Sequence, residues 1–353
     1  MNRTLSFAQA ILESLDHSLG SDPNVYLIGL GVPDPKGIFG TTLGLQEKYG
    51  DSRVMDMPAS ENGMTGVGIG SAIMGMKPIM THQRGDFFLL AYDQLINSAA
   101  KWHYMFNGQM NVPIVIRLIV GRGWGQGPQH SQNLHSSFAH FPGLKVVMPT
   151  TAYDAKGLMR SSILDPNPVL FIEHRWLHNI VDYVPEESFE VPIGKAKISR
   201  EGKDLTLVAS GHMTVEALKA AEALKADKVD VEVIDLRTIK PLDIETILNS
   251  VKKTGHLLVA DESWKTLGIA SEIITLVIEK GYSSLKKAPM RITLPDCYAP
   301  TSWALTNHYY PDAQDIILGI RKLLGFSTPL SEILEKQQKT PLDVPDKSFT
   351  GPF

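Results

Sequence analysis

Short apolar runs separated by longer stretches of helical periodicity dominate this chain. "NVYLIGLG" (24 to 31), "KPIMTHQ" (77 to 83), "VPIVIRLIVG" (112 to 121) and "NPVLFIEH" (167 to 174) have the length and composition of buried strands. Between them lie "ENGMTGVGIGSAIMG", "LAYDQLINSAAKWHYMF" and "TAYDAKGLMRSSILD", which read as helices. Strand alternating with helix predicts a mostly parallel sheet covered on both faces. The alternation stops at "DYVPEESFEVPIGKAKISREGKD" (182 to 204), which is polar and punctuated by proline. It resumes with strands "LTLVAS", "DVEVIDL", "HLLVADE" and "MRITLPD", interleaved with three helical patterns, and a last helix, "DAQDIILGIRKLLG", ends near Gly325. The expected organisation is an α/β domain over 1–185, a linker over 186–204, a smaller α/β domain over 205–325 and an extended tail over 326–353. A length of 353 residues agrees with two domains, since single cores seldom grow past ~250 to 300 residues.

Composition narrows the function classes. Charged residues make up 20% and hydrophobic ones 43%, with a net charge of −4, so the chain lacks the basic surplus of a nucleic-acid binder and the polarity of a disordered segment. One cysteine, Cys297, excludes an internal disulfide and any thiol-pair zinc site. The first twenty residues interleave apolar positions with Glu13, Asp16 and His17, which reads as an amphipathic helix and not as a secretory signal. No apolar run approaches the ~20 residues that span a bilayer. No membrane or nucleic-acid partner is expected, and the expected location is cytoplasmic.

Three places carry candidate chemistry. Glu61 stands alone in "PASENGMTGVGIGSAIMGMKP" (58 to 78) among small and apolar residues, where it is either a helix-start acid or a poorly solvated carboxylate suited to sharing a proton with a ligand. Gly66, Gly68, Gly70 and Gly75 behind it do not make a dinucleotide or phosphate loop, and read as a helix packed closely on a neighbour. "GRGWGQGPQHSQ" (121 to 132) is too polar for core and follows a strand end, where α/β proteins build sites. His130 closes that loop among Gln129, Ser131 and Gln132, which are able to fix its tautomer, while His135 and His140 read as structural. In "HQRGDFFLLAYDQ" (82 to 94), Gln83, Arg84 and Asp86 precede Phe87 and Phe88, which read first as core residues, with the alternative that one of them offers its face to a planar ligand.

Taken in order, "ENGMTGVGIGSAIMGMKPI", "DQLINSAAKWHYM", "VPIVIR", "QHSQ", "FPGLKVVMPTTAYDAKGL", "NPVLFIEH" and "VIDLRTIKPLDIETILNSVKKTGHLLVADES" resemble the beta subunit of the decarboxylating component of 2-oxoacid dehydrogenase complexes, over roughly residues 3 to 325. The resemblance implies a transketolase-like α/β fold: a pyrimidine-binding domain with a mostly parallel sheet, then a smaller transketolase C-terminal domain. It implies thiamine diphosphate as cofactor, with Glu61 bonded to a pyrimidine ring nitrogen, Phe87 stacked on that ring and Gln83 in the same segment. His130 matches a histidine proposed to assist acyl transfer to a lipoyl group or to stabilise charge near the substrate. Ile114, Ser162, Asp165 and Asn167 match positions that hold a structural monovalent cation, K+, in relatives. The G-D-G motif with a later asparagine, which holds the diphosphate and Mg2+ in this superfamily, does not occur in the sequence. The resemblance therefore implies a separate alpha subunit carrying the metal half of the site, an α2β2 assembly and a lipoyl acyltransferase core as a further partner.

The chain departs from the family pattern in places. Ala59 and Ser60 precede Glu61 where a larger residue is usual. Arg84 replaces a common phenylalanine and suggests selection of an anionic or polyhydroxylated substrate. "APTSWALTNHYYP" (299 to 311) lacks a glutamate that usually precedes the tyrosine–proline block. Three functions stay open at this point: a 2-oxoacid dehydrogenase beta subunit, a standalone carboligase subunit moving a two-carbon unit to an aldehyde, ketone or sugar, and a non-catalytic regulatory subunit.

Overall fold

The computed structural model describes residues 3–123, 125–326 and 342. Apart from Phe326 and Leu342, the tail expected over 326–353 lies outside the described residues. The chain forms two compact units, one of Met1–Gly121 with Ser137–Ile193 and one of Arg122–Ser136 with Gly194–Phe353.

In the first unit, strands β1 (Val25–Ile28), β2 (Val54–Met55), β3 (Lys77–His82), β4 (Val115–Val120), β5 (Lys145–Val147) and β6 (Val169–His174) lie side by side in the order β5-β6-β4-β3-β1-β2, every pair parallel. Every residue of β4 and β6 is buried, as expected for strands covered on both faces. Helix α1 (Phe7–Ser21) starts at a capping box between Ser6 and Gln9 and packs on α3 (Ala152–Leu164), whose first turn is capped by the Thr151 hydroxyl. Between them in sequence lies α2 (Glu61–Ile73), which buries Glu61, Thr65, Gly68, Ile69 and Ala72 on one face.

The glycines of α2 divide into two groups. A Cβ on Gly68 would lie 2.8 Å from Met80 Sδ and 3.3 Å from Ile114 Cδ1, so glycine is what lets the helix sit down on the sheet there. Gly66 and Gly70 face open space and Gly75 lies beyond the helix end at φ 97°, so the close packing expected of all four holds for Gly68 alone. The helix expected over "LAYDQLINSAAKWHYMF" is also broken up. A 3₁₀ turn (Phe87–Ala91) leads into a π-helical stretch (Gln94–Ala99) and only then into α-helix (Ala100–Met105). Periodicity cannot anticipate a single-turn widening of this kind, which keeps Leu95, Ile96 and Ala99 buried.

The second unit carries β7 (Lys197–Arg200), β8 (Leu205–Ala209), β9 (Val231–Asp235), β10 (Leu257–Trp264) and β11 (Met290–Leu294) in the order β11-β10-β8-β9-β7. All pairs are parallel except β7 with β9. β7 falls inside the stretch read from sequence as a linker, where antiparallel pairing at a sheet edge accommodates a half-exposed, polar strand. Helices α4 (His212–Ala223) and α7 (Ala313–Leu324), between which α5 (Ile244–Thr254) and α6 (Ile269–Gly281) lie in the chain, pack together and contribute Ala217, Ala220, Ile316 and Ile320 to a core shared with β8, β9 and β10. An Asp312 capping box starts α7, and Gly325, at φ 90°, ends it.

Candidate active site

In the first unit the candidate residues gather near the carboxyl ends of the parallel strands. Glu61 opens α2 and is only 9% exposed. Among the described residues its carboxylate has no hydrogen-bond or ion-pair partner. Both of its oxygens are therefore open to accept from a group that enters beside the start of α2. The helix start favours negative charge there but contributes only ~0.3 to 1 kcal/mol.

α2 packs against the Phe87–Ala91 turn, which brings the helix of Glu61 beside the segment of Phe87. The two phenylalanines separate clearly. Phe88 is fully buried, with its ring tilted against His82 at 4.8 Å, whereas Phe87 is 39% exposed and is the one that presents a ring outward. Gln83 is held by a bond to the loop after β1, its Nε2 donating to the Leu30 carbonyl at 3.1 Å. Opposite it, Gly31 at φ 73° holds a backbone conformation that favours glycine, and a Cβ there would lie 2.6 Å from Gln83 Nε2 and displace that amide.

Arg84 is buried, and the next residue ties this segment to the end of β4 by a Gly85 N–H to Ile119 carbonyl bond of 2.9 Å. Burial pushes the Arg84 guanidinium below its ordinary value, and Asp86 works against that. Arg175, just beyond the end of β6, stacks its guanidinium on Phe39 at 4.5 Å. Burial pushes Arg175 down to about 10, with Glu173 opposing and Arg84 adding to the shift. Deeper in the sheet Arg117 pairs with Glu173 at 2.5 Å, and both side chains are wholly buried. Burial opposes ionisation of Glu173, but Arg117 and His178 hold its carboxyl down at about 2. Sequence reasoning found Arg84 and missed Arg175, Arg117 and Glu173. The one available signal was an arginine in the middle of the apolar run "VIRLIV".

The four positions matched to a monovalent cation lie around the carboxyl end of α3 and the strands that follow and flank it. The Ile114 carbonyl accepts from the Val169 N–H at 3.0 Å, and the Ser162 hydroxyl donates to the Leu158 carbonyl at 2.7 Å. Asp165 accepts from the Asn167 N–H at 2.9 Å and from the Lys145 ammonium. Asn167 Oδ1 is buried without a partner among the described residues, so one neutral oxygen of this set is available.

His130 lies in the second unit, half-buried after a 3₁₀ turn (Gly127–Gln129). The structure thus places Glu61, Gln83, Arg84 and Phe87 in one unit and His130 in the other.

Residues 3–179 match the transketolase pyrimidine-binding domain and residues 194–316 the transketolase C-terminal domain. A pyruvate dehydrogenase E1 component beta subunit of Acholeplasma laidlawii is 42% identical over 321 residues, covering 90% of this chain and 98% of that one. The beta subunit of acetoin:2,6-dichlorophenolindophenol oxidoreductase of Cupriavidus necator is 40% identical over 334 residues, with 92% and 98% covered. This chain belongs to the same beta-subunit family. The E1 beta fold is shared more widely: a split-gene transketolase described as an inactive beta4 tetramer superposes with a TM-score of 0.75 at 20% identity, covering 92% of this chain and 99% of that one. The pyrimidine-binding match takes in Glu61, Gln83, Arg84 and Phe87. It also takes in His130, although that histidine's segment folds with the second compact unit of this E1 beta-type chain.

Proposed function

We propose that the chain is the beta subunit of a thiamine-diphosphate-dependent 2-oxoacid dehydrogenase, acting in decarboxylation and in passing the acyl group to lipoamide. The observation that carries this reading is Glu61: an acid only 9% exposed, its carboxylate unpartnered among the described residues, at the start of a helix that packs beside the Phe87 turn. That donor set fits an aminopyrimidine. Glu61 would share a proton with a ring nitrogen where water competes little, and Phe87 would give its face to the same ring. Gln83 would keep the turn in place through Leu30. When bound, thiamine diphosphate supplies a carbon nucleophile and an electron sink for release of carbon dioxide.

His130 assists the acyl transfer or steadies charge near the substrate, and Arg84 selects an anionic or polyhydroxylated substrate. With no G-D-G motif in the sequence, the diphosphate and Mg2+ fall to an alpha subunit, in an α2β2 assembly that delivers to a lipoyl acyltransferase core. A monovalent cation held by the Ile114 carbonyl, Ser162, Asp165 and Asn167 draws support from the unpartnered Asn167 Oδ1. Similarity to the acetoin-oxidising relative supports a second substrate reading, a 2-hydroxyketone cleaved at the same cofactor.

The test uses the chain assembled with a G-D-G-bearing alpha subunit, supplied with pyruvate or acetoin and 2,6-dichlorophenolindophenol as oxidant. A parallel assay replaces the dye with lipoyl carrier, dihydrolipoyl dehydrogenase and NAD. Glu61→Gln should leave assembly intact and lower turnover with either acceptor at least ~100-fold, the general scale of a lost acid–base group. Turnover equal to wild type would remove Glu61 from the mechanism, and carboligation without lipoyl-dependent NAD reduction would replace the dehydrogenase reading.

A further inference from the structure

The segment that carries His130 is fastened to the end of β10 by two adjacent acids. At its start, Arg122 donates to Glu262 Oε1 at 2.7 Å, with both side chains buried. Near its end, Asn133 Nδ2 donates to the other oxygen of Glu262 at 3.3 Å, and His135 Nε2 lies 2.8 Å from Asp261 Oδ1, again fully buried. Ser136 then supplies its hydroxyl oxygen to the Ile269 N–H at 3.0 Å, capping α6 (Ile269–Gly281), whose own N-cap, Gly268, has no side chain. Between these ties, Gly125 and Gly127 sit at positive φ against Thr301, where a Cβ would come within 2.8 Å and 2.6 Å of its oxygens.

The strand end is shaped for this purpose. Pairing of β10 with β11 loses register between Ala260 and Trp264, so Asp261 and Glu262 fall where the ladder is irregular. Asp261 is held by its own strand as well, accepting from the Ser263 N–H at 3.2 Å and from the Ser263 hydroxyl. Burial opposes its charge, yet His135 and Ser263 keep the carboxyl below its ordinary range.

We propose that Asp261 and Glu262 are positioning residues for His130, setting the placement of its segment by gripping it on both sides. The proposal rests on the first of the two roles given above to His130, assistance in acyl transfer to lipoamide. It concerns no contact of the acids with substrate or cofactor. A purely structural role for the acids would loosen the second unit generally. A positioning role loosens residues 125–136 and selectively slows the step that uses His130.

The experiment has two readouts on Asp261→Asn, Glu262→Gln and Ser136→Ala. Hydrogen–deuterium exchange on the full chain should rise at least tenfold in peptides covering 125–136 for the two acid variants, with β8 and β9 peptides unchanged. Ser136→Ala, which loses one bond, should loosen only the end of the segment, and it keeps the proposal testable should an acid variant fail to fold. In the assembled enzyme, kcat with lipoyl carrier should fall about tenfold while kcat with 2,6-dichlorophenolindophenol and KM for the 2-oxoacid stay at wild-type values. Unchanged exchange in 125–136 overturns the grip. Equal loss with both acceptors overturns its selectivity. His130→Ala with wild-type lipoyl turnover overturns the role of His130 itself, which separates failure of that reading from failure of the grip.

Discussion

His82 gives the sharpest test of how the end of β3 is built. It is 4% exposed, and burial alone pushes its imidazole from an ordinary 6.5 down to about 4. The folded chain refuses a proton that the unfolded chain accepts. Stability is therefore full above pH 6.5 and falls as pH drops toward 4. Each unit is worth about 1.4 kcal/mol, so between pH 7.5 and pH 5 this one residue should cost the fold about 2 kcal/mol, approaching about 3 kcal/mol at pH 4. His178 titrates in the same direction, because burial lowers it too, so the informative quantity is the difference between wild type and His82→Gln. Urea unfolding of the isolated chain at the two pH values measures it. Wild type should lose about 2 kcal/mol more than the variant on acidification. An equal loss in both would mean that His82 is not held neutral by burial.

Two further predictions concern packing and buried charge. Gly66→Ala should raise the thermal midpoint of the isolated chain, gaining roughly 0.5 to 1 kcal/mol of helix propensity in open space, whereas Gly68→Ala should lower it because overpacking of ~1 to 3 kcal/mol against Met80 outweighs that gain. Equal effects at the two positions would refute the division between them. Arg117→Met should destabilise by ~3 to 5 kcal/mol in chemical denaturation, since Glu173 is left charged and buried, while adding Glu173→Leu should recover most of the loss. A double variant as unstable as the single one would show that the pair itself contributes the stability.

The sequence was most legible where one element answers one local rule. The β4 and β6 runs were readable because strands buried on both faces are apolar throughout, and α7 because Asp312 and Gly325 mark its ends. Glu61 was legible as an acid without neighbours able to pair with it, and its described surroundings are of that kind. Non-local pairing was not legible. Glu173 lies 56 residues beyond Arg117 on the adjacent strand, and no periodicity links them. The segment of His130 read as a loop at a strand end, which is locally correct. The acids that hold it follow 126 to 140 residues later, where "VADES" looked like the close of an ordinary strand. The glycines of α2 failed differently: a helical glycine shows that close approach is allowed, and only the neighbour's coordinates say whether it occurs.

The compact units do not follow one another along the chain. Because Arg122–Ser136 folds with the residues that begin at Gly194, the polypeptide enters the second unit, returns to the first and leaves it again. No single cut can separate the two. A fragment ending at Ile193 would carry Arg122 and His135 without Glu262 and Asp261, and a fragment beginning at Gly194 would leave Glu262 without Arg122 and Asp261 without His135. Translation imposes the same order: the histidine segment is synthesised long before its anchor exists. The segment of His130 can reach its final place only after β10 has been made, so the candidate histidine is among the last parts of the first 193 residues to be fixed in position.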